Sequence, residues 1–461
     1  MRKRSSVATL AVIALLVAGC GRSGSTGASR GEDDAAQTTS GARPAGDFGD
    51  LKGLCGPGDA SGSPAQGVTS DTIKAGVLSD VGFTKKSEYG DAAKVFTSWC
   101  NDAGGVGGRK LEATVRDTRM MEVRQRVIEA CKEDFALVGG GAALDGLGVK
   151  ERLECTLPDF PAQTSMINAN GSDLQVNQTG GTVYNRYSGY YPWLVQEAYP
   201  ESAKGIGVIA GDSGTVKVMS AQSTEAMEAL GAKVVYHDLY PAAGVSDWTP
   251  YAQSLKKNNV RGLIWYGDFT QLAKLEQALT AMNYKLDWID TNNNAYGPAF
   301  IKLGGKALDF QNNLTDLSGV HPLEQAADNP ATQQVIDLFE KYAPDADITM
   351  PALRAFSAWA LFVKSAKACG DQLTRRCVYD NARKEKAWTG GGVLAPVDLS
   401  GAEVPLDCFN IEHATSKGWE PADFKPDNSA FRCGVKQYKF KGKYGRAMTL
   451  ADVGKTMNDV K

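Results

Sequence analysis

The sequence predicts an α/β fold of mostly parallel sheets, and three observations carry that prediction. Short β-type runs alternate with helical stripes from Asp71 onward; the alternation restarts after residue 188; and several helical stripes stop at glycine. At 461 residues, 43% hydrophobic and 22% charged, the chain is long enough to bury a large core in two lobes.

The elements follow in order. Thr72-Ile73-Lys74-Ala75-Gly76-Val77-Leu78 reads as a strand ending at Ser79-Asp80. A helix through Val95, Phe96 and Trp99 stops at Gly104-Gly105, and a strand covers residues 111–115. Val123, Val127, Ala130 and Cys131 mark a helix face, and Phe135-Ala136-Leu137-Val138 is a third strand running into Gly139-Gly140-Gly141. In the second half, strands are expected at 206–209, 233–236 and 262–265. Helical stripes run through Val216, Met219, Met227 and Leu230, and through Leu272, Leu275, Leu279 and Met282. Asn329-Pro330 opens a helix with proline in its first turn, and another runs from Pro351 through Trp359 to Ala368. A β-rich tail is expected from Cys408-Phe409-Asn410-Ile411 and from residues 435–440.

The start of the chain predicts an address. Arg2, Lys3 and Arg4 precede an apolar run over residues 7–18, which is shorter than the roughly 20 residues of a membrane span. It has the length of the apolar h-region of a secretory signal. Val17-Ala18-Gly19-Cys20 matches the lipobox of bacterial lipoproteins, with small residues before a thiol that accepts a diacylglyceryl group. Residues 1–19 are therefore expected to be a signal peptide, Cys20 the lipidated residue, and 20–67 a flexible Gly/Ser-rich tether on the outer face of the cell membrane. The formal charge of −3 becomes more negative once the signal is lost, which leaves no basic footprint for nucleic acid.

Eight cysteines remain after Cys20, an even number that reads as disulfides in an exported chain. In a βα unit the strand starts and helix ends share one edge, which predicts Cys55–Cys100 and Cys131–Cys155. Cys369–Cys377 flank a turn, and Cys408–Cys433 sit beside the tail strands. There is no CxxC and there are only three histidines, so neither a metal site nor a cofactor is expected.

Three motifs are weighed and set aside. Gly211-Asp212-Ser213-Gly214 spells a protease nucleophile motif, but His237, His321 and His413 all follow Ser213 and the context is strand-to-helix. The glycines of 104–108 follow a helix, and Lys110 precedes Leu111, so they are not a phosphate loop. The aromatic cluster Tyr184, Tyr187, Tyr190, Tyr191 and Trp193 reads as packing. Gly139-Gly140-Gly141 is left as either a tight turn or an amide cradle for an anionic group.

Ile73-Lys74-Ala75-Gly76-Val77-Leu78-Ser79-Asp80, then Asn101-Asp102-Ala103-Gly104-Gly105-Val106-Gly107-Gly108-Arg109-Lys110 and Asp117, resemble the opening of type I periplasmic binding proteins. The leucine/isoleucine/valine-binding proteins of ABC importers are the relatives meant. Leu137-Val138-Gly139-Gly140, Leu157-Pro158-Asp159-Phe160-Pro161 and Tyr184-Asn185-Arg186 continue the likeness in order, over about residues 68–440. The resemblance implies two doubly wound, Rossmann-like lobes joined by a three-segment hinge: 68–186 with 314–390 as lobe 1, and 187–313 with 391–461 as lobe 2. It implies a monomeric, non-enzymatic binder of a small polar or amino-acid-like solute, held where the strand ends of both lobes face each other, and delivered to ABC permease subunits. A lipid-anchored receptor for a signalling partner is the alternative. A repressor of the same fold is set aside because its DNA-binding segment would stand where this chain has a signal.

By the same resemblance, the ligand is expected at Gly140, Gly141, Ala142, Gln163 and Thr164 of lobe 1 and Asp212, Asp268, Phe269 and Asn292 of lobe 2. Ser79, Phe83 and Tyr89 would stand at the mouth. The hydroxyls that grip a carboxylate in the relatives are partly replaced by glycine, and the acid that meets an ammonium by amides. The expected solute is therefore polar and hydrogen-bonding with an apolar part, rather than simply leucine or valine.

Overall fold

The computed structural model describes residues 45–181, 183–401 and 405–461. Lobe 1 holds four parallel strands, β1 (Thr72–Ser79), β2 (Lys110–Asp117), β3 (Ala136–Val138) and β4 (Asp159–Phe160), in the order β2-β1-β3-β4. Lobe 2 holds β5 (Ile206–Gly211), β6 (Val234–Tyr240), β7 (Gly262–Tyr266), β8 (Trp288–Asp290), β9 (Asn313–Asp316), β10 (Ile411–Thr415) and β11 (Gly418–Pro421). Their order is β11-β10-β9-β8-β7-β5-β6; β10 pairs antiparallel with both β9 and β11, and the other neighbours pair parallel. Every residue of β5 and β7 is buried, as both-face coverage by helices requires.

Lobe 1 is built around the helix Met350–Cys369, buried from Met350 through Val363. Its Phe356 and Trp359 pack on Phe96 of the helix Glu88–Asp102, with ring centroids 5.3 and 5.9 Å apart. The Asn329 side chain caps the helix Pro330–Tyr342 through the amides of Ala331 and Thr332, both at 3.0 Å. Tyr187, Tyr190, Tyr191 and Trp193 are buried in the core of lobe 2, where the Tyr191 hydroxyl meets Ser223 Oγ at 2.7 Å. Disulfides join Cys55 to Cys100, Cys131 to Cys155, Cys369 to Cys377 and Cys408 to Cys433, the pairs expected from the element order.

Four expectations are corrected. The tether does not extend to residue 67: residues 45–67 pack on lobe 1 as an arm. Phe48 is fully buried between Trp99 and Phe356, and the Arg109 guanidinium donates to Gly62 O at 2.8 Å. Three buried apolar side chains (Phe48, Leu54 and Cys55), with the buried Asp47 beside them, anchor a segment whose average composition is tether-like. Secondly, residues 435–440 form no strand of a sheet. They pair instead with the first crossover, where Asn185 N donates to Tyr438 O and Phe440 N to Val183 O. Thirdly, the tail does not stay with lobe 2 to its end: residues 441–444 are held by Glu225 of lobe 2, and the chain then crosses to lobe 1. Leu450 and Val460 bury against Val149, Leu153 and Leu174 of lobe 1, and Arg375 N donates to Lys461 O at 2.9 Å. Finally, β9 carries lobe 2 through Asp316, so the return crossing lies just beyond the expected residue 314. The signal, Cys20 and the first part of the tether lie outside the described residues.

Candidate functional site

The carboxyl ends of β1, β3 and β4 form the face of lobe 1 turned toward lobe 2. Asp80 pins this face: one carboxylate oxygen accepts from Met120 N at 2.8 Å and from the Thr118 hydroxyl, the other from Ala143 N at 2.7 Å. A Cβ on Gly140 would stand 2.5 Å from Leu78 N, so only glycine fits there. The amides of Gly139 and Gly141 are already bonded to Phe160 O and Leu78 O. Of the two readings of this turn, the tight turn is the one these bonds favour. Tyr89, in the first turn of Glu88–Asp102, donates its hydroxyl to Gln163 Oε1 at 3.1 Å. Gly140, Gly141, Ala142, Gln163 and Thr164 thus come together, around a small void of about 30 Å³ within lobe 1. Ser79 is buried at the end of β1, whereas Phe83 is 60% exposed.

On lobe 2 the polar side chains are engaged by their own chain. Asp212 is ion-paired with Lys217. Asp268 caps the helix Phe269–Ala281 by accepting from Thr270 N at 2.9 Å. Asn292, at φ 64°, accepts from Asn294 N at 3.3 Å and closes its own turn. Phe269 alone of this set is buried toward the opposite lobe.

Among the described residues, several contacts join the two lobes. Lys86 Nζ stands 3.8 Å from the centroid of the Phe269 ring, and the Thr215 hydroxyl donates to Ala143 O at 3.3 Å. Beside them both lobes enclose a cavity of about 400 Å³, lined by Lys86, Glu88 and Thr349 of lobe 1 and Phe269, Tyr296 and Pro298 of lobe 2, among others. Burial lowers the Lys86 pKa against the pull of Glu88 and Asp268, and burial raises that of Glu88. Of the expected site residues only Phe269 lines this cavity.

A buried polar group between the crossovers escaped the sequence. Arg354 is 4% exposed, and burial brings its pKa down to about 10, with Arg186 adding like-charge repulsion. Burial pushes Asp316 up to about 7 and Asp290 up to about 8. The signal was present: Arg354 is the one charged residue in the run Pro351–Val363. Its context reads as pure core, which hid it.

The family described as periplasmic binding protein matches residues 72–404. No curated protein matches the chain. Among solved structures, a fatty acid ABC transporter substrate-binding protein from Thermomonospora curvata superposes with a TM-score of 0.64 at 20% identity, covering 83% of this chain and 97% of the other. A leucine binding protein from Thermotoga maritima gives 0.61 at 14% identity, over 76% and 98%. A branched-chain amino acid transporter substrate binding protein from Streptococcus pneumoniae, in complex with isoleucine, gives 0.62 at 14% identity, also over 76% and 98%. At these identities the likeness is one of fold.

Proposed function

Because this chain belongs to the periplasmic binding protein family, we propose that it captures a small polar solute with an apolar part between its lobes and delivers it to an ABC permease. The observation that carries this reading is the cavity of about 400 Å³ shared by both lobes beside the Lys86–Phe269 contact. That volume lies within the range of small-molecule sites, roughly 300–1,000 Å³. Its lining supports the solute class: lysines and carboxylates stand beside Phe269, Tyr296, Pro298 and Pro344. A charge at one end of a solute and an apolar surface at the other both find partners there. Substrate-binding proteins of ABC transporters for fatty acids and for branched-chain amino acids share the fold, which is consistent with such a solute. The lipobox at Val17-Ala18-Gly19-Cys20 supports an anchored location outside the cell membrane. Hinge closure on a solute is binding work, not catalysis.

Thermal-shift screening against amino acids, short amides, polyols and aromatic acids tests the reading, followed by calorimetry on the hits. A saturable rise in Tm with one chemical class is expected. Finding no stabilising solute in any class, and none co-purifying with the protein, would remove it.

A further inference from the structure

Three crossovers meet near residues 178–188, 317–321 and 393–397, and in the angle between them lies a void of about 10 Å³. Gln178, Ser318, Gly319, Arg354, Leu394 and Val397 line it. Its three polar side chains are each more than nine-tenths buried, at 6%, 8% and 4% exposure for Gln178, Ser318 and Arg354. Among the described residues, Arg354 Nη1, Gln178 Nε2 and Ser318 Oγ have no hydrogen-bond partner. The Gln178 amide is oriented by its neighbours: its Oε1 accepts from Trp388 Nε1 at 2.7 Å and from the Ser357 hydroxyl, which leaves Nε2 as the free end. Two N–H donor groups and a hydroxyl therefore surround one atom-sized space, and buried donors are normally satisfied.

The local charge points the same way. Arg186 acts on Arg354 as a second positive group. Asp316 is the opposing carboxylate; one of its oxygens accepts from Ser318 N at 2.7 Å and from Asn410 N at 3.3 Å, while the other has no partner among the described residues. Burial pushes Asp316 up to about 7 and brings Arg354 down only to about 10, so near neutral pH the carboxyl is partly uncharged while the Arg354 guanidinium stays charged. A water offers two lone pairs and no charge to this set; an anion offers both charge and acceptor capacity.

We propose that this void is an anion pocket for a single negatively charged acceptor atom, supplied by a free halide or by one carboxylate oxygen of the captured solute. The second source rests on the solute-binding reading; the first does not. Because the pocket touches all three crossovers, its occupant bears on hinge geometry as well as on charge.

Bromide separates these cases. Wild-type protein, Arg354→Met and Gln178→Glu are melted without added solute in sodium bromide and in sodium methanesulfonate of equal ionic strength. Wild-type crystals grown in bromide are measured at the bromine edge. A saturable rise in Tm specific to bromide is expected in the wild type and absent from both variants, with an anomalous peak within hydrogen-bond reach of Arg354. If the solute's carboxylate is the natural occupant, a carboxylate hit from the screen displaces that peak and its amide does not. A bromide peak with no solute binding would leave the pocket standing and the solute-binding reading in difficulty. Neither a bromide peak nor a solute carboxylate beside Arg354, with only a water in the void, overturns the proposal.

Discussion

The ammonium of Lys86, on lobe 1, lies 3.8 Å from the ring centroid of Phe269, on lobe 2, so the two lobes touch through a cation–π contact at the cavity's edge. Such contacts contribute ~0.5–2 kcal/mol depending on exposure. Lys86→Met, which keeps length and removes charge, should raise the open-to-closed ratio about 2–30-fold by the same figure. Small-angle scattering of the solute-free protein reads this as a larger radius of gyration. An unchanged scattering curve for both Lys86→Met and Phe269→Ala would show that the contact does not hold the lobes.

Glu225 of lobe 2 ties down the tail before it crosses to lobe 1. Its carboxylate accepts from the hydroxyls of Tyr438 (2.9 Å) and Tyr444 (2.7 Å) and from the amides of Lys441 and Gly442. Burial opposes the charge, but these hydrogen bonds together hold the carboxyl below its usual range. The clamp therefore contributes at neutral pH and is lost as pH falls through the carboxylate range. Glu225→Ala should destabilise by about 2 kcal/mol and expose residues 436–448 to limited proteolysis. Digestion no faster than in the wild type would contradict the clamp.

The arm formed by residues 45–67 depends on the Cys55–Cys100 bridge, which closes a loop of sequence separation 45. Removing it by Cys55→Ser with Cys100→Ser should cost about 2–4 kcal/mol, read as a lower denaturant midpoint. Peptide mapping without reductant checks the pairing itself, and recovery of a Cys100–Cys131 peptide would refute it.

Glu276 is fully buried in lobe 2, and burial pushes its pKa up to about 8 from an ordinary 4.5. The folded state therefore holds a proton that the unfolded state releases. The stability linked to that proton is complete below about pH 4.5 and is lost as pH rises past about 8. Glu276→Gln should match the wild type at pH 5 and exceed it at pH 9, by up to about 4 kcal/mol. Melting curves at the two pH values decide the matter; equal differences at both would count against a buried proton.

The lipobox reading makes Cys20 the anchor. Cys20→Ser should move the protein from the membrane fraction to the soluble fraction, as scored by fractionation and immunoblotting. Equal release of wild type and variant would count against lipidation.

The legible parts of the fold share one property: their determinants are local. The Asn329-Pro330 start, the stop at Gly104-Gly105 and the stripe through Leu272 and Leu279 need only neighbours along the chain. The Tyr187–Trp193 cluster reads as packing from composition, and in the structure these aromatic rings are buried. The site was less legible. Asp212, Asp268 and Asn292 occupy strand-end positions as the resemblance implies, yet each side chain is engaged by its own chain. Lys86 and Tyr296, which line the shared cavity, carry no sequence signal that distinguishes them from ordinary surface and core residues.

What the sequence determined by itself was therefore the alternation of strand and helix, the parallel sheets that follow from it, and the disulfide pairs that the shared edge of βα units predicts. Only the tertiary structure decided that Phe48 enters the core, that the tail recrosses to lobe 1, and that Arg354 faces Gln178 and Ser318 across a void. The physical reason is separation: these contacts join residues far apart in the chain, and their energies depend on burial and partner geometry that no local pattern encodes.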